Sequence, residues 1–207
     1  MNKENIKSRK KNLIITLIIL ALFLTFNNVK SSETRENHVV FGQDNALIKI
    51  KILSSLSCPH CAKFHLEVVP KLKEEYVKTG KAQLIFIDFP LDLAAFNASK
   101  LLHCSDEKME MKFLDIIYEN QNEWTIGGSI EEINNNLREI VKNLGISSSQ
   151  FDKCLNNEAI SDKIINGRIN GHQKYSINST PTIVINEKKL EGSVNFKNIK
   201  KNIEKLI

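Results

Sequence analysis

Tryptophan occurs once, proline four times and glycine eight times in 207 residues. With so few of the residues that punctuate a chain, there is no Gly- or Pro-rich linker. The sequence has no internal repeats and, beyond its N-terminal segment, no low-complexity stretch. No apolar run is long enough to span a bilayer: the longest, Leu13 to Phe26, has 14 residues, where a spanning helix needs about 20. A basic surplus is also missing once one segment is set aside. The chain holds 29 Lys+Arg and 24 Asp+Glu, and residues 1–31 take 6 of the former and 1 of the latter, leaving 23 of each. The overall basic balance is therefore no argument for nucleic acid as a partner. Zinc spacing is missing too, because one C-x-x-C stands without a second and neither His65 nor His103 completes a standard ligand set.

What is present at the N-terminus reads as an address. Lys3, Lys7, Arg9, Lys10 and Lys11 precede the apolar run, and Val29-Lys30-Ser31 offers small residues for cleavage before Ser32. Residues 1–31 are thus expected to be a signal peptide, with retention as an uncleaved anchor as the alternative. The remaining 170 or so residues suffice for one domain with a full core. All four cysteines lie in that part, and an exported chain meets conditions that favour disulfides.

The chemistry centres on Cys58-Pro59-His60-Cys61. Ala46 to Leu53 alternates and is rich in β-branched residues, which predicts a strand. Ala62, Leu66, Val69, Leu72 and Tyr76 fall on one helical face. Pro59 suits the first helical position, which needs no N–H. Cys58 then sits at the helix N-terminus, where the unpaired amides and the helix dipole favour a thiolate. Cys61, one turn on, can close a small disulfide ring with it. His60 between them, when charged, further favours the thiolate and hence the reduced form, the property of an oxidant. Half of a zinc site is the alternative reading of the four residues.

The tetrapeptide resembles the active-site motif of the DsbA family, the thioredoxin-fold oxidants of the bacterial envelope. Gly42-Gln43-Asp44-Asn45-Ala46 resembles the family's turn before the central strand, Asp88-Phe89-Pro90-Leu91-Asp92 the end of its second strand, and Ser179-Thr180-Pro181-Thr182 its cis-proline loop. The likeness covers roughly Val39 to Ile207 and is nearest the alphaproteobacterial branch. It implies an α/β chain: a thioredoxin fold from residues 39–90 and 177–207, interrupted by an all-helical insertion over 91–176. It implies that Cys58 and Cys61, with Pro59 and His60, carry the exchange, and that Thr180 and a cis Pro181 pack against them and receive substrate. Cys104 and Cys154 resemble cysteine positions of that branch, and a structural disulfide between them is expected. No metal and no cofactor is implied. In one respect the chain departs from the pattern: the buried acid that many relatives carry six residues before the first cysteine is Ile52 here. Asp88 could serve in its place.

Elsewhere the patterns are familiar. Val39 to Phe41 reads as an edge strand and Ala82 to Phe89 as a strand parallel to the first. Pro70 is expected to kink the active-site helix, since it cannot donate to Leu66. Helices are expected over 91–103 and 108–121, with Trp124 and Gly127-Gly128 in a loop. Capping boxes at Ser129 and Ser147 open two more helices, and Gly167 and Gly171 weaken a long one over 159–175. Thr182 to Ile185 is a strand, residues 186–189 a turn, Leu190 the start of the partner strand, and Asn195 the cap of a last helix.

These readings predict a periplasmic thiol:disulfide oxidoreductase that introduces disulfides into reduced, unfolded exported proteins. A DsbB-like membrane quinone reductase is the expected reoxidant, and the chain is expected to be a monomer. A reductase or isomerase of the same fold is the alternative within the class. A metal-binding or chaperone module that uses the dithiol without turnover is the alternative outside it.

Overall fold

The computed structural model describes residues 38–207. The basic and apolar stretch at residues 1–31, and the export reading with it, lies outside the described residues. Two strands form the centre. β2 (Ile48–Ser54) pairs in parallel with β3 (Ala82–Asp88), with Ile52 opposite Phe86 and Ser54 opposite Asp88. β1 (Val39–Phe41) lies antiparallel on the outer side of β3, and β4 (Thr182–Ile185) lies antiparallel on the other side of β2. β5 (Lys188–Lys189) completes the order β1-β3-β2-β4-β5. Period-2 alternation divides the core between the two faces. Ile48, Ile50, Ile52, Leu84, Phe86, Ile183 and Ile185 pack on one face, and Leu53, Ile85, Ile87 and Val184 on the other. β3 is buried on both faces along almost its whole length, which accounts for its continuous apolar run.

The expected active-site helix is two helices and a π turn. α1 (Pro59–Glu67) stops at Val68, and α2 (Val69–Leu72) restarts with Pro70 in its first turn before Lys73–Val77 winds as π-helix. The break is the one Pro70 dictates, since it has no N–H to give to Leu66. It also alters the buried stripe. Phe64, His65 and Val68 turn inward with Ala62, Val69, Leu72 and Tyr76, while Leu66, expected on the apolar face, is exposed.

The chain between β3 and β4 is mostly helical. α3 (Leu93–Cys104), capped by Asp92, packs against α6 (Ile130–Lys142), α7 (Ser148–Leu155) and α8 (Glu158–Tyr175). A short 3-10 turn leads into α4 (Glu110–Glu119), which packs on α1, and α5 (Gln121–Trp124) follows at once. Trp124 is therefore the last residue of a short helix and not part of a loop. It is fully buried, and its indole N–H donates to the Ile117 carbonyl at 2.9 Å. Of the two capping boxes, only Ser147 with Gln150 is reciprocal. At the other, Ser129 accepts from the Glu132 amide, but the Glu132 carboxylate takes the Gly128 N–H instead. Gly167 and Gly171 do not break α8. A Cβ on Gly171 would come within 2.7 Å of Leu53, so the glycine sets how closely the helix lies on the sheet.

The final hairpin is tighter than expected. Only Asn186 and Glu187 form its turn, both at positive φ, so β5 starts two residues before Leu190. α9 (Phe196–Ile203), capped by Asn195, covers the sheet with Ile199 and Ile203. A parallel β2–helix–β3 unit, an antiparallel β4–β5 hairpin and a closing helix, with helices inserted between β3 and β4, make a thioredoxin fold with a helical insertion.

Candidate active site

β2 ends at Ser54, and the chain turns through Ser55-Leu56-Ser57 into α1. This turn is held from three sides. The Ser57 hydroxyl donates to Asp92 at 2.6 Å, and the other Asp92 oxygen accepts the Ala95 amide at 2.7 Å, so one carboxylate ties the active-site turn to the start of α3. The Leu91 amide donates to the Ser55 hydroxyl at 3.3 Å. From below, the buried Gln121 amide donates to the carbonyls of Leu56 at 2.6 Å and Cys58 at 3.1 Å.

Cys58 occupies the N-cap position of α1 with extended backbone, and Pro59 opens the first turn. The Cys58 carbonyl accepts the amides of Cys61 and Ala62, which places Cys61 one turn along. Both cysteines are free thiols. They are not equally accessible: Cys58 keeps 8% of its surface and Cys61 only 1%. The Thr180–Pro181 peptide is cis, and its loop lies directly against the pair. The Cys58 thiol donates to the Thr180 carbonyl at 3.6 Å. The Thr180 hydroxyl is buried with no partner at ordinary hydrogen-bond distance among the described residues, and it lies near enough to Cys61 to favour a thiolate there. An open cleft of about 580 Å³ runs beside the motif between His60, Lys63, Glu67, Thr180, Pro181 and Val194. His60 is exposed at its rim.

Burial pushes the Cys61 thiol up to about 12, against the Thr180 hydroxyl and the Ser55 backbone, which pull it down. Cys61 therefore holds its proton at neutral pH. Tyr118 of α4 is held well above the usual phenol range, first by burial and then by the neighbouring Cys61. Its hydroxyl donates to Ser54 at 3.2 Å. Of the histidines set aside as metal ligands, His65 is buried against Tyr118, with ring centroids 4.7 Å apart, and its Nε2 meets Asp115 at 2.7 Å. His103 meets Asp88 at 2.6 Å. Among the described residues no group of three or more His, Cys, Asp or Glu is arranged so that it could hold a metal ion. Cys104, at the end of α3, is bonded to Cys154 of α7, at a sequence separation of 50.

Asp88 and His103 form a buried ion pair. Burial alone would raise Asp88, but the charge of His103 and hydrogen bonds from His103 and Ser99 outweigh it and hold the carboxyl below its ordinary 3.8. Burial alone would lower His103, and Asp88 overcomes this to hold it above its ordinary 6.5. A depressed acid stabilises the fold above its unfolded pKa and loses that contribution as pH falls through the folded value. A raised base does so below its unfolded pKa and loses it as pH rises through the folded value. The pair's contribution is therefore full between pH 3.8 and 6.5 and declines on both sides. Urea midpoints across pH, wild type minus the Asp88→Asn/His103→Gln double variant, should show that plateau. A difference that keeps rising above neutral pH would contradict the pairing.

Sequence reasoning noted Asp88 and His103 separately and missed their pairing, and it missed Gln121 and Tyr118 altogether. Neither Gln121 nor Tyr118 lies in a motif; each reaches the site only because a helix of the insertion packs there.

A thioredoxin family model matches residues 34–205. The chain is 32% identical over 171 residues to "Probable disulfide bond formation protein D" of Bacillus anthracis, spanning 79% of this chain and 76% of that protein. The crystal structure of Wolbachia pipientis alpha-DsbA1 superposes with a TM-score of 0.75 at 30% identity, covering 82% of this chain and 90% of that one. BdbD from Bacillus subtilis shares the fold at a TM-score of 0.69 and 21% identity. With its dithiol at the head of α1 and its helices inserted into the sheet, the chain belongs to the thioredoxin family, as a DsbA-like thiol:disulfide oxidoreductase.

Proposed function

We propose that the protein is an exported oxidant that introduces disulfides into reduced, unfolded proteins of the envelope. The observation that carries this reading is the asymmetry of the two cysteines: Cys58, at the helix N-terminus, keeps 8% of its surface, while Cys61 keeps 1% and its thiol is pushed up by burial. In the oxidised enzyme a substrate thiolate attacks Cys58, the Cys58–Cys61 bond breaks, and Cys61 leaves with the electron pair and takes up a proton. A second substrate thiolate then attacks the substrate sulfur of the mixed disulfide, and Cys58 leaves as thiolate. The substrate gains a disulfide and the enzyme ends with two reduced sulfurs. His60 and Pro59 set the electrostatics and geometry of Cys58, and an extended substrate pairs along the Thr180–Pro181 loop.

The basic and apolar segment at residues 1–31 supports export to the periplasm. The protein acts as a monomer there, and a DsbB-like membrane quinone reductase restores its disulfide. Residues 39–90 and 177–207 act as the catalytic unit, and 91–176 as the insertion that flanks it.

The test is the reduction potential of Cys58–Cys61 against glutathione. Trp124 is a built-in reporter, because α5 also carries Gln121, which holds the Cys58 carbonyl. A value nearer the DsbA end of the family's range, about −120 mV, than the thioredoxin end, about −270 mV, is expected. A value near thioredoxin's would overturn the oxidant reading and favour a reductase.

A further inference from the structure

The exchange above requires Cys61 to gain a proton as it leaves and to lose one when it attacks, although it is almost wholly enclosed. The strand positions where an acid could meet it are apolar: Ile52 and Phe86 face each other across β2 and β3, 2% and 5% exposed. One pleat further along the same strands the polarity changes. The parallel register sets Ser54 beside Asp88, and at equal register in neighbouring strands side chains share a face about 5 Å apart. Tyr118 comes down on this point from α4 and gives its hydroxyl to Ser54 at 3.2 Å. Cys61 and Asp88 both act on the Tyr118 phenol. Asp88 is itself held by Ser99 and His103, each at 2.6 Å, and the Asp88 and His103 side chains are 10% and 5% exposed. A line of polar groups thus runs from beside Cys61 to a buried ion pair.

We propose that Tyr118 and Ser54 carry the Cys61 proton to and from the Asp88–His103 pair. The inference rests on the thiol-exchange reading above. As the Cys58–Cys61 bond breaks under attack, Cys61 receives the electron pair and the phenolic proton of Tyr118. Tyr118 is refilled from the Ser54 hydroxyl, and Ser54 from the His103 imidazolium by way of the Asp88 carboxylate. His103 recovers its proton from solvent, and when Cys61 attacks, the same steps run backwards. The four side chains do not touch the substrate; they act through Cys61 and are positioning residues for its proton. Other charges face the line. His38 lies towards Asp88, and Lys163 of α8 and Glu110 of α4 lie towards His103. The His65–Asp115 pair, with Lys73 near Asp115, lies against the ring of Tyr118, whose hydroxyl goes to Ser54.

The experiment is single-turnover reduction of the oxidised full chain by glutathione, with the rate expressed per glutathione thiolate and followed from about pH 6 to 9. In the wild type this rate should fall as His103 loses its proton. Tyr118→Phe keeps the ring and removes only the hydroxyl, and should slow the step by about tenfold or more. Asp88→Asn removes the carboxylate through which the proton passes, so it should slow the step as Tyr118→Phe does and flatten the falling limb, a change of pH profile that a merely structural role for Asp88 would not produce. Should Asp88→Asn not fold, Ser54→Ala takes its place and should slow the step as Tyr118→Phe does. The inference is overturned if Tyr118→Phe keeps the wild-type rate at every pH, or if the wild-type rate per thiolate does not vary. The equilibrium potential from the same samples separates this failure from that of the oxidant reading, because a lost relay changes how fast Cys61 exchanges and leaves the direction of transfer in place.

Discussion

Replacing Cys58 with serine should lower disulfide transfer to a reduced peptide by at least about a thousandfold, because no other sulfur can take its place. Cys104 and Cys154 are already bonded to each other, and Cys61 is 1% exposed and holds its proton. The complementary variant should behave differently. Cys61→Ser leaves Cys58, the more exposed of the two, able to attack a substrate disulfide but with no second sulfur to release the product. It should therefore accumulate a mixed disulfide, visible as added mass under non-reducing conditions and removed by excess thiol. The order follows from the proposed mechanism, in which substrate lies along the Thr180–Pro181 loop, where the Cys58 thiol reaches the Thr180 carbonyl. Equal residual activity in the two variants would contradict this order, as would a Cys61→Ser protein that releases substrate as quickly as the wild type.

The second large effect is on stability. Removing the Cys104–Cys154 bond with a double alanine variant should cost about 2–4 kcal/mol, the usual range for a closed loop of this length. For a domain of this size that corresponds to a melting temperature lower by about 5–15 °C. The bond joins the C-terminal end of α3 to α7, so the loss should be felt in the insertion, while the dithiol and its loop stay in place. Thermal unfolding of the oxidised double variant and the wild type, each with Cys58–Cys61 closed, gives the comparison. Unchanged melting would mean that packing alone holds α3 to α7. The position of the bond also bears on the active site. His103 precedes Cys104, so loosening the end of α3 should weaken the hold of His103 on Asp88 before it disturbs the sheet.

Much of this molecule was legible in the linear pattern. The alternation of Ile48, Ile50 and Ile52 requires a strand with one apolar face, and the continuous run of β3 requires a strand covered on both. Pro70 broke the first helix where its missing N–H demanded, and Pro59 began it. Asn195 and Ser147 cap helices in the structure because capping depends on residues three apart and on little else. The thiol motif was readable for the same reason: four consecutive residues at a strand–helix junction carry their geometry with them.

Other features depended on distant packing. Trp124 was expected in a loop because nothing local marks the single helical turn that α5 makes against α4. The Glu132 side chain was expected to complete a capping box and instead took the amide of Gly128, two hydrogen bonds of similar worth between which sequence spacing does not choose. Leu66 lay on the apolar face of an ideal helix, and the break at Val68 turned it to solvent.

By itself, then, the sequence determined the strands, the helix starts and the sulfur pair, because each follows from periodicity, proline chemistry or neighbours within one turn. Only the tertiary structure decided which sulfur is enclosed, and which side chains meet beneath it. Burial of Cys61, the meeting of Asp88 with His103, and the reach of Gln121 and Tyr118 to the active-site turn all require helices 15 to 65 residues away in sequence to be docked on the sheet. Docking of that kind is set by the summed fit of many apolar surfaces, which no local stretch of residues encodes.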